Sequence, residues 1–302
     1  MSIESTPSSK EFLDVLNHSN TYKINNDANN LELFTCPINA NKFNYNQVVD
    51  SLLESVAHYS ISRRNIQKYK NSPMSLSKKA RELFKDYKRN TGELGEFLLF
   101  SFLEGHLDAP KVLSKLELKT ATNMFVHGSD GIHFLKLPDG NYQLIFGESK
   151  VYGDLTKGLR DAFSSIHDFV NETSASGTKS GINYEKHLIS SNIFNETWTK
   201  EEETFIEQLI YPTSDSEFEV DDAFGIFIGF EINISKEEKK LSNSEFRIKI
   251  DEKINNIVSR KLDNIEKYIE NKELFGYSFY IYIMPFTDID TSRELILERL
   301  IT

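Results

Sequence analysis

The stretch Ala223–Ile232, AFGIFIGFEI, carries a single charge in ten residues. It is far too short to cross a bilayer, which takes about 20 apolar residues. Its aromatic and β-branched content suits a strand. Apolar side chains at odd and even positions alike demand cover on both faces. Tyr277–Pro285 (YSFYIYIMP) has the same character. Between them, Glu245–Lys272 sets Ile248, Ile254, Ile257, Val258, Leu262, Ile265 and Ile269 among charges, the pattern of a long amphipathic helix. Buried strands alternating with helices predict an α/β fold, with a mixed β-sheet flanked by helices.

The remaining elements fit that frame. Leu94, Phe97, Leu98, Phe100 and Phe102 predict a buried helix from Gly92 to about Glu104, with Gly105 as its C-cap. Val112–Met124 and His127–Leu137 read as extended runs. Pro138-Asp139-Gly140-Asn141 is a turn, and Tyr142–Tyr152 the strand that returns from it, which makes a hairpin. Asp154 is placed to cap a helix over Leu155–Asn171, and residues 173–183 are small and polar, a flexible connection. Glu201–Leu209 reads as an acidic helix stopped by Pro212, and Ser292–Ile301 as a closing helix. Residues 1–30 form a polar leader with a short helix at Glu11–Asn17. Leu31–Cys36 is a strand, Tyr45–Tyr59 an amphipathic helix and Ser62–Lys70 a basic helical surface, while Ser75 or Ser77 caps a helix over Lys78–Arg89. The expected division is an N-terminal helical and extended region, 1–75, and a second domain, 76–302.

Composition narrows the chemistry. The one cysteine, Cys36, can form neither an internal disulfide nor a Cys-rich zinc site, which points to a reducing compartment. Neither a membrane span nor a signal peptide is legible, so a cytoplasmic protein is expected. The net charge of −11 excludes nonspecific coating of nucleic acid by bulk attraction. The charge is uneven, however. Arg63–Arg89 holds ten bases against two acids, and Glu201–Asp222 nine acids and no base. These are solvated faces, or a DNA-facing stripe and a partner-facing one.

The chemistry-bearing residues lie in Gly92–Asp161: Glu96 on the helix, Asp130 at the start of a strand, and Glu148-Ser149-Lys150 on the next. Glu148 and Lys150, two apart on a strand, share a face. Folding back about the turn brings Asp130 to the same end of the ladder. Carboxylates so gathered offer oxygen ligands to Mg²⁺, with Mn²⁺ the alternative ion, and the lysine suits a phosphoryl charge or an attacking water. Glu93 shares much of Glu96's face, but Glu96 sits a turn deeper in the apolar stretch. His133 alternates away from Asp130 and reads as structural; His127 and Lys119 are weaker candidates. Arg160 and Asp161 read as a pair or as a hold of the helix against the sheet, Cys36 as a small buried residue and Trp198 as a candidate interface anchor.

The order of helix acid, strand Asp, hairpin, ExK strand and helix matches the restriction-endonuclease-like PD-(D/E)xK core. More narrowly, Gly92-Glu93-Leu94-Gly95-Glu96, Leu113-Ser114-Lys115, Leu118-Lys119-Thr120, His127-Gly128-Ser129-Asp130-Gly131-Ile132-His133, Gly147-Glu148-Ser149-Lys150 and Gly158-Leu159-Arg160-Asp161-Ala162 resemble the nuclease-subunit family (HamA) of Hachiman anti-phage defence systems. The resemblance spans roughly residues 90–170 and departs from the wider nuclease pattern in having no Pro before Asp130. It implies a metal-dependent DNA nuclease paired with a superfamily 2 helicase (HamB) and degrading DNA when released. Asp130, Glu148 and Lys150 would then be the catalytic and metal set, and Glu96 the helix acid. A catalytically inert adaptor that docks and regulates the helicase is the alternative; a restriction enzyme would need a target-recognition module, and none is legible.

Overall fold

A computed structural model describes residues 3–25, 28–83, 92–122, 128–172 and 181–301. Among the described residues there are eight strands: β1 (Asn17–Ile24), β2 (Asn29–Thr35), β3 (Ile38–Asn39), β4 (Lys42–Phe43), β5 (Ile132–Lys136), β6 (Tyr142–Val151), β7 (Val220–Glu231) and β8 (Ser278–Phe286). The helices of the first half are α1 (Pro7–Val15), α2 (Tyr45–Leu52), α3 (Val56–Ser60), α4 (Arg63–Lys68), α5 (Pro73–Leu83), α6 (Glu93–Gly105) and α7 (Lys115–Thr122). Those of the second are α8 (Leu155–Val170), α9 (Ile182–Glu196), α10 (Lys200–Ile210), α11 (Asn243–Ser259), α12 (Leu262–Asn271) and α13 (Ile289–Ile301).

Six strands form one mixed sheet in the order β1-β2-β8-β7-β6-β5. The four inner strands, β2, β8, β7 and β6, run parallel, and β1 and β5 close the edges antiparallel to their neighbours. The apolar runs lie where double cover was expected: β7 is central, and Ala223–Phe230 is buried throughout. Helix α6 covers one face, with Leu103 against Gly225 and Phe102 stacked on Phe227. Helix α8 covers the other, with Phe169 against Phe146 and Phe224 and with Gly158 close to Ile228. Among the described residues no helix is long and apolar enough to cross a membrane.

Several expectations are revised. Val112–Met124 is not an extended run: Lys115–Thr122 is helical. Leu116 is buried in the first turn of this helix, and Leu113 is buried just before it. Only a fragment beside Lys111 and Val112 stays extended, and its Val112 amide donates to the Ile132 carbonyl at 2.7 Å. The long helix expected over Glu245–Lys272 is two helices broken at Arg260–Lys261, where the Lys261 amide turns back to the Val258 carbonyl. Phe246, Ile250, Ile254 and Val258 line the buried stripe of the first, which leaves Ile248 exposed. Helix α9 had no counterpart in the sequence reading, and residues 173–180 of the expected connection lie outside the described residues.

The leader is integral to the structure. It supplies α1 and β1, and β2 joins β8 from 250 residues away, with Asn30 opposite Tyr280. Phe12 packs edge-on against Phe102 at 5.3 Å, and the Thr6 amide donates to buried Glu104 at 2.8 Å. Gly105 is the closest point of this contact: a Cβ there would lie 2.3 Å from the Ser9 carbonyl oxygen. Backbone cannot give way as a side-chain tip does. Gly105→Ala is therefore expected to destabilise the protein by about 2 kcal/mol, read as a lower urea midpoint at unchanged slope. An unchanged midpoint would show that α1 is not fixed to α6.

Candidate active site

Glu96 sits on α6 and Glu148 and Lys150 on β6, while Asp130, expected at the start of a strand, lies two residues before β5. The hairpin register pairs Ile132 with Phe146 and Lys136 with Tyr142. Beyond its regular end the ladder is uneven. The Asp130 amide donates to the Gly147 carbonyl at 2.7 Å, while the Gly147 amide donates to the Gly131 carbonyl at 2.8 Å. Two residues thus face one, as in a β-bulge, a device that re-aims a side chain. The Asp130 carboxylate is aimed at Ser149, whose amide and hydroxyl both donate to its Oδ2, at 2.6 and 2.7 Å. Gly147 has to be glycine for this: a Cβ would come 2.9 Å from Leu99 and 3.1 Å from the Gly131 nitrogen.

Alternation on β6 divides the candidates. Gly147, Ser149 and Val151 face α6, whose Gly95 leaves just enough room above Ser149 and Val151. Glu148 and Lys150 face α8; a Cβ on its Gly158 would meet the Lys150 Cβ at 3.9 Å. Lys150 Nζ lies against Glu148 Oε1 as a close ion pair, although no donor is aligned with that buried oxygen. Burial, and then the negative charge of Asp130, push the Glu148 carboxyl up to about 7 against the opposing pull of Lys150 and of a hydrogen bond from Ser165. Burial pulls the Lys150 ammonium down, but the Glu148 charge outweighs it and the net shift is upward.

On the α6 face, Glu96 and Asp130 line a cavity of about 20 Å³ with Tyr59, Lys111, Lys115, Gly131 and His133, enough for one water molecule. Glu148 and Lys150 are not among its lining residues. The structure thus brings Glu96 to Asp130, and Glu148 to Lys150, with Asp130 at the rim where its charge acts on both Tyr59 and Glu148. Glu93 and Glu96 are both buried, and the Tyr59 hydroxyl lies 3.2 and 3.4 Å from their respective carboxylates. Only Glu96 reaches the cavity. Burial first, then the two glutamates and Asp130, hold the Tyr59 phenol well above its usual range, so it remains a donor.

The other candidates separate clearly. His133 is buried, and its Nδ1 donates to the Ala109 carbonyl at 2.8 Å, which makes it structural. His127 and the Lys119 side chain lie outside the described residues. Arg160 and Asp161 form an exposed pair at 2.9 Å, Cys36 is buried with its thiol pushed up by desolvation, and Trp198 is 44% exposed. Two of the ten bases between Arg63 and Arg89 serve the fold. Arg63 donates to the Lys111 carbonyl at 2.5 Å, and Arg64 lies 3.5 Å above the Phe194 ring. Lys85, Lys88 and Arg89 lie outside the described residues.

Sequence reasoning missed Tyr59, which closes the apolar face of the Tyr45–Tyr59 stretch, and Ser149, the middle of the ExK triplet. It also missed the role of Lys111, whose buried ammonium, pulled down by desolvation, donates to the carbonyls of His58, Tyr59 and Ile61 and to Ser114 Oγ. Periodicity marks such residues as buried without saying what they hold.

Among the described residues no three His, Cys, Asp or Glu side chains form a ready-made metal cage. Magnesium does not need one, since it commonly keeps several waters and takes one or two carboxylates plus substrate phosphate. Glu148 Oε1, buried without an aligned donor, and the Asp130 carboxylate, whose charge Glu148 feels across the ladder, fit that requirement. The HamA family model matches residues 10–300. No curated protein matches the chain.

Proposed function

Since the chain belongs to the HamA family of Hachiman defence proteins, we propose that it is the Mg²⁺-dependent deoxyribonuclease of an anti-phage complex, acting with a partner helicase and hydrolysing DNA phosphodiesters when released. The observation that carries this reading is the strand register, with Asp130 re-aimed at the ladder end beside Glu148 and Lys150 held against Glu148. Asp130 and Glu148 are the residues that would hold the ion, with Glu96 reaching the rim from α6. A bound divalent cation supplies Lewis-acid polarisation of the phosphoryl group and a lower pKa for water. Lys150 stays cationic at neutral pH and neutralises charge as it develops on the phosphate oxygens. The two Ser149 donors fix the Asp130 carboxylate in place.

Two measurements test the proposal. In the complete complex with Mg²⁺, Lys150→Ala is expected to stop plasmid cleavage; undiminished cleavage removes the catalytic assignment. Mn²⁺ binding by the purified chain is expected to weaken in Asp130→Ala. Identical binding in both proteins, with no cleavage by either, identifies the inert adaptor instead.

A further inference from the structure

Behind Asp130 lies a buried charge pair that none of the chemistry above uses. Lys115, at the start of α7, and Glu185, in the first turn of α9, meet at 2.5 Å with side chains 4% and 0% exposed. Both also grip one residue, Ser129, at the peptide groups on either side of it. Glu185 Oε1 accepts the Ser129 amide at 2.9 Å, and Lys115 Nζ donates to the Ser129 carbonyl and lies 3.4 Å from its hydroxyl. Gly128 is shaped to the contact: φ is +138°, and a Cβ would fall 1.9 Å from Glu185 Oε1. Only glycine accepts both.

Burying two charges is costly, and an apolar pair of similar volume commonly serves stability as well or better. Stability therefore does not explain why the pair sits here. Its position does. Ser129 is the residue before Asp130, and Lys115 lines the same cavity as Asp130 and Glu96. With Ser129 clamped at its amide and its carbonyl, and Ser149 holding the carboxylate oxygen, Asp130 is fixed from two directions.

We propose that Lys115 and Glu185 are positioning residues for Asp130, their ion pair locking the Ser129 backbone so that the neighbouring carboxylate keeps its place. This rests on the nuclease reading for its purpose, though not for its geometry.

The test is the double variant K115M/E185L in the full-length chain, which removes both charges together and leaves neither buried alone. Faster amide exchange is expected at Ser129 and Asp130, with the amides of β7 still protected. Mn²⁺ binding, followed by paramagnetic resonance on the purified chain, is expected to weaken about 10–100-fold. In the complex, kcat for DNA cleavage is expected to fall by about 10²-fold with KM unchanged. Should the double variant not fold, Gly128→Ala, which drives a Cβ onto Glu185 Oε1, reads the same amides and the same ion binding. Wild-type protection at Asp130 together with wild-type Mn²⁺ affinity overturns the proposal and leaves the nuclease reading intact. Wild-type cleavage and ion binding by Asp130→Ala overturn the nuclease reading itself.

Discussion

Glu148→Gln is expected to lower Mg²⁺-dependent DNA cleavage by the complex on the order of 10³-fold, about 4 kcal/mol of transition-state stabilisation. Glutamine keeps the shape of the side chain on β6 and removes only its charge. Wild-type Glu148 is buried and its carboxyl is pushed up to about 7, so in the metal-free protein ionisation is disfavoured. A carboxyl whose folded pKa lies above its unfolded value adds stability at low pH, and that contribution is lost as pH rises from about 4.5 through about 7. Glutamine carries no such liability. At pH 8 without metal the variant should unfold at a urea concentration no lower than wild type, because Lys150, partly exposed, reaches water when its partner charge is gone. Activity lost at undiminished stability is the signature of a charge kept for chemistry. Cleavage at the wild-type rate would take Glu148 out of the reaction; loss of both activity and stability would make it a structural ion.

Acidification should unfold the chain through His133. Burial pushes this imidazole down to about 4, with Lys111 and Arg63 acting in the same direction. Its folded pKa lies below the unfolded value of 6.5, so the unfolded chain takes up the proton first. The stability His133 contributes is present above pH 6.5 and is lost as pH falls towards 4, a loss on the order of 3 kcal/mol. His58 and His106 are shifted downward as well, chiefly by burial, and add to the effect. The measurement is the urea midpoint from pH 7.5 to 4.5 for wild type and His133→Phe. Parallel curves would mean that His133 does not titrate on unfolding. A flatter curve for the variant, starting from a lower midpoint because the hydrogen bond to the Ala109 carbonyl is gone, is the expected result.

The parts of this fold legible in the sequence are those where side-chain pattern and burial coincide. Ala223–Ile232 gave a doubly covered strand because its neighbours leave no polar alternative, and the hairpin followed from Pro138–Asn141. Residues with mixed character were misread. In Lys115–Thr122 polar side chains alternate with apolar ones, yet the segment is helical with Leu116 buried in its first turn, and packing overrode local pattern. Helix α9 escaped notice because its buried residues, Glu185, Leu188, Ile189 and Glu196, include two carboxylates that ordinary periodicity counts as solvated.

The candidate site was legible as residue types and as strand spacing. What spacing does not encode is the direction in which each group is aimed. Counting back about the turn puts Asp130 at the same end of the ladder as Glu148 and Lys150, and the unevenness at Gly131 and Gly147 aims its carboxylate at Ser149. Alternation put Glu148 and Lys150 on one face, as expected, but that face is the α8 side, while Glu96 approaches from α6.

The pairing of β2 with β8 bears on how the molecule is made. The first hairpin, β1–β2, finds its sheet neighbour in β8, some 250 residues further along the chain. Contacts of such long sequence separation form late, and on a ribosome this hairpin cannot join the sheet before Ser278–Phe286 has been synthesised. A nascent chain halted before Ser278 therefore lacks the strand that seats its own beginning.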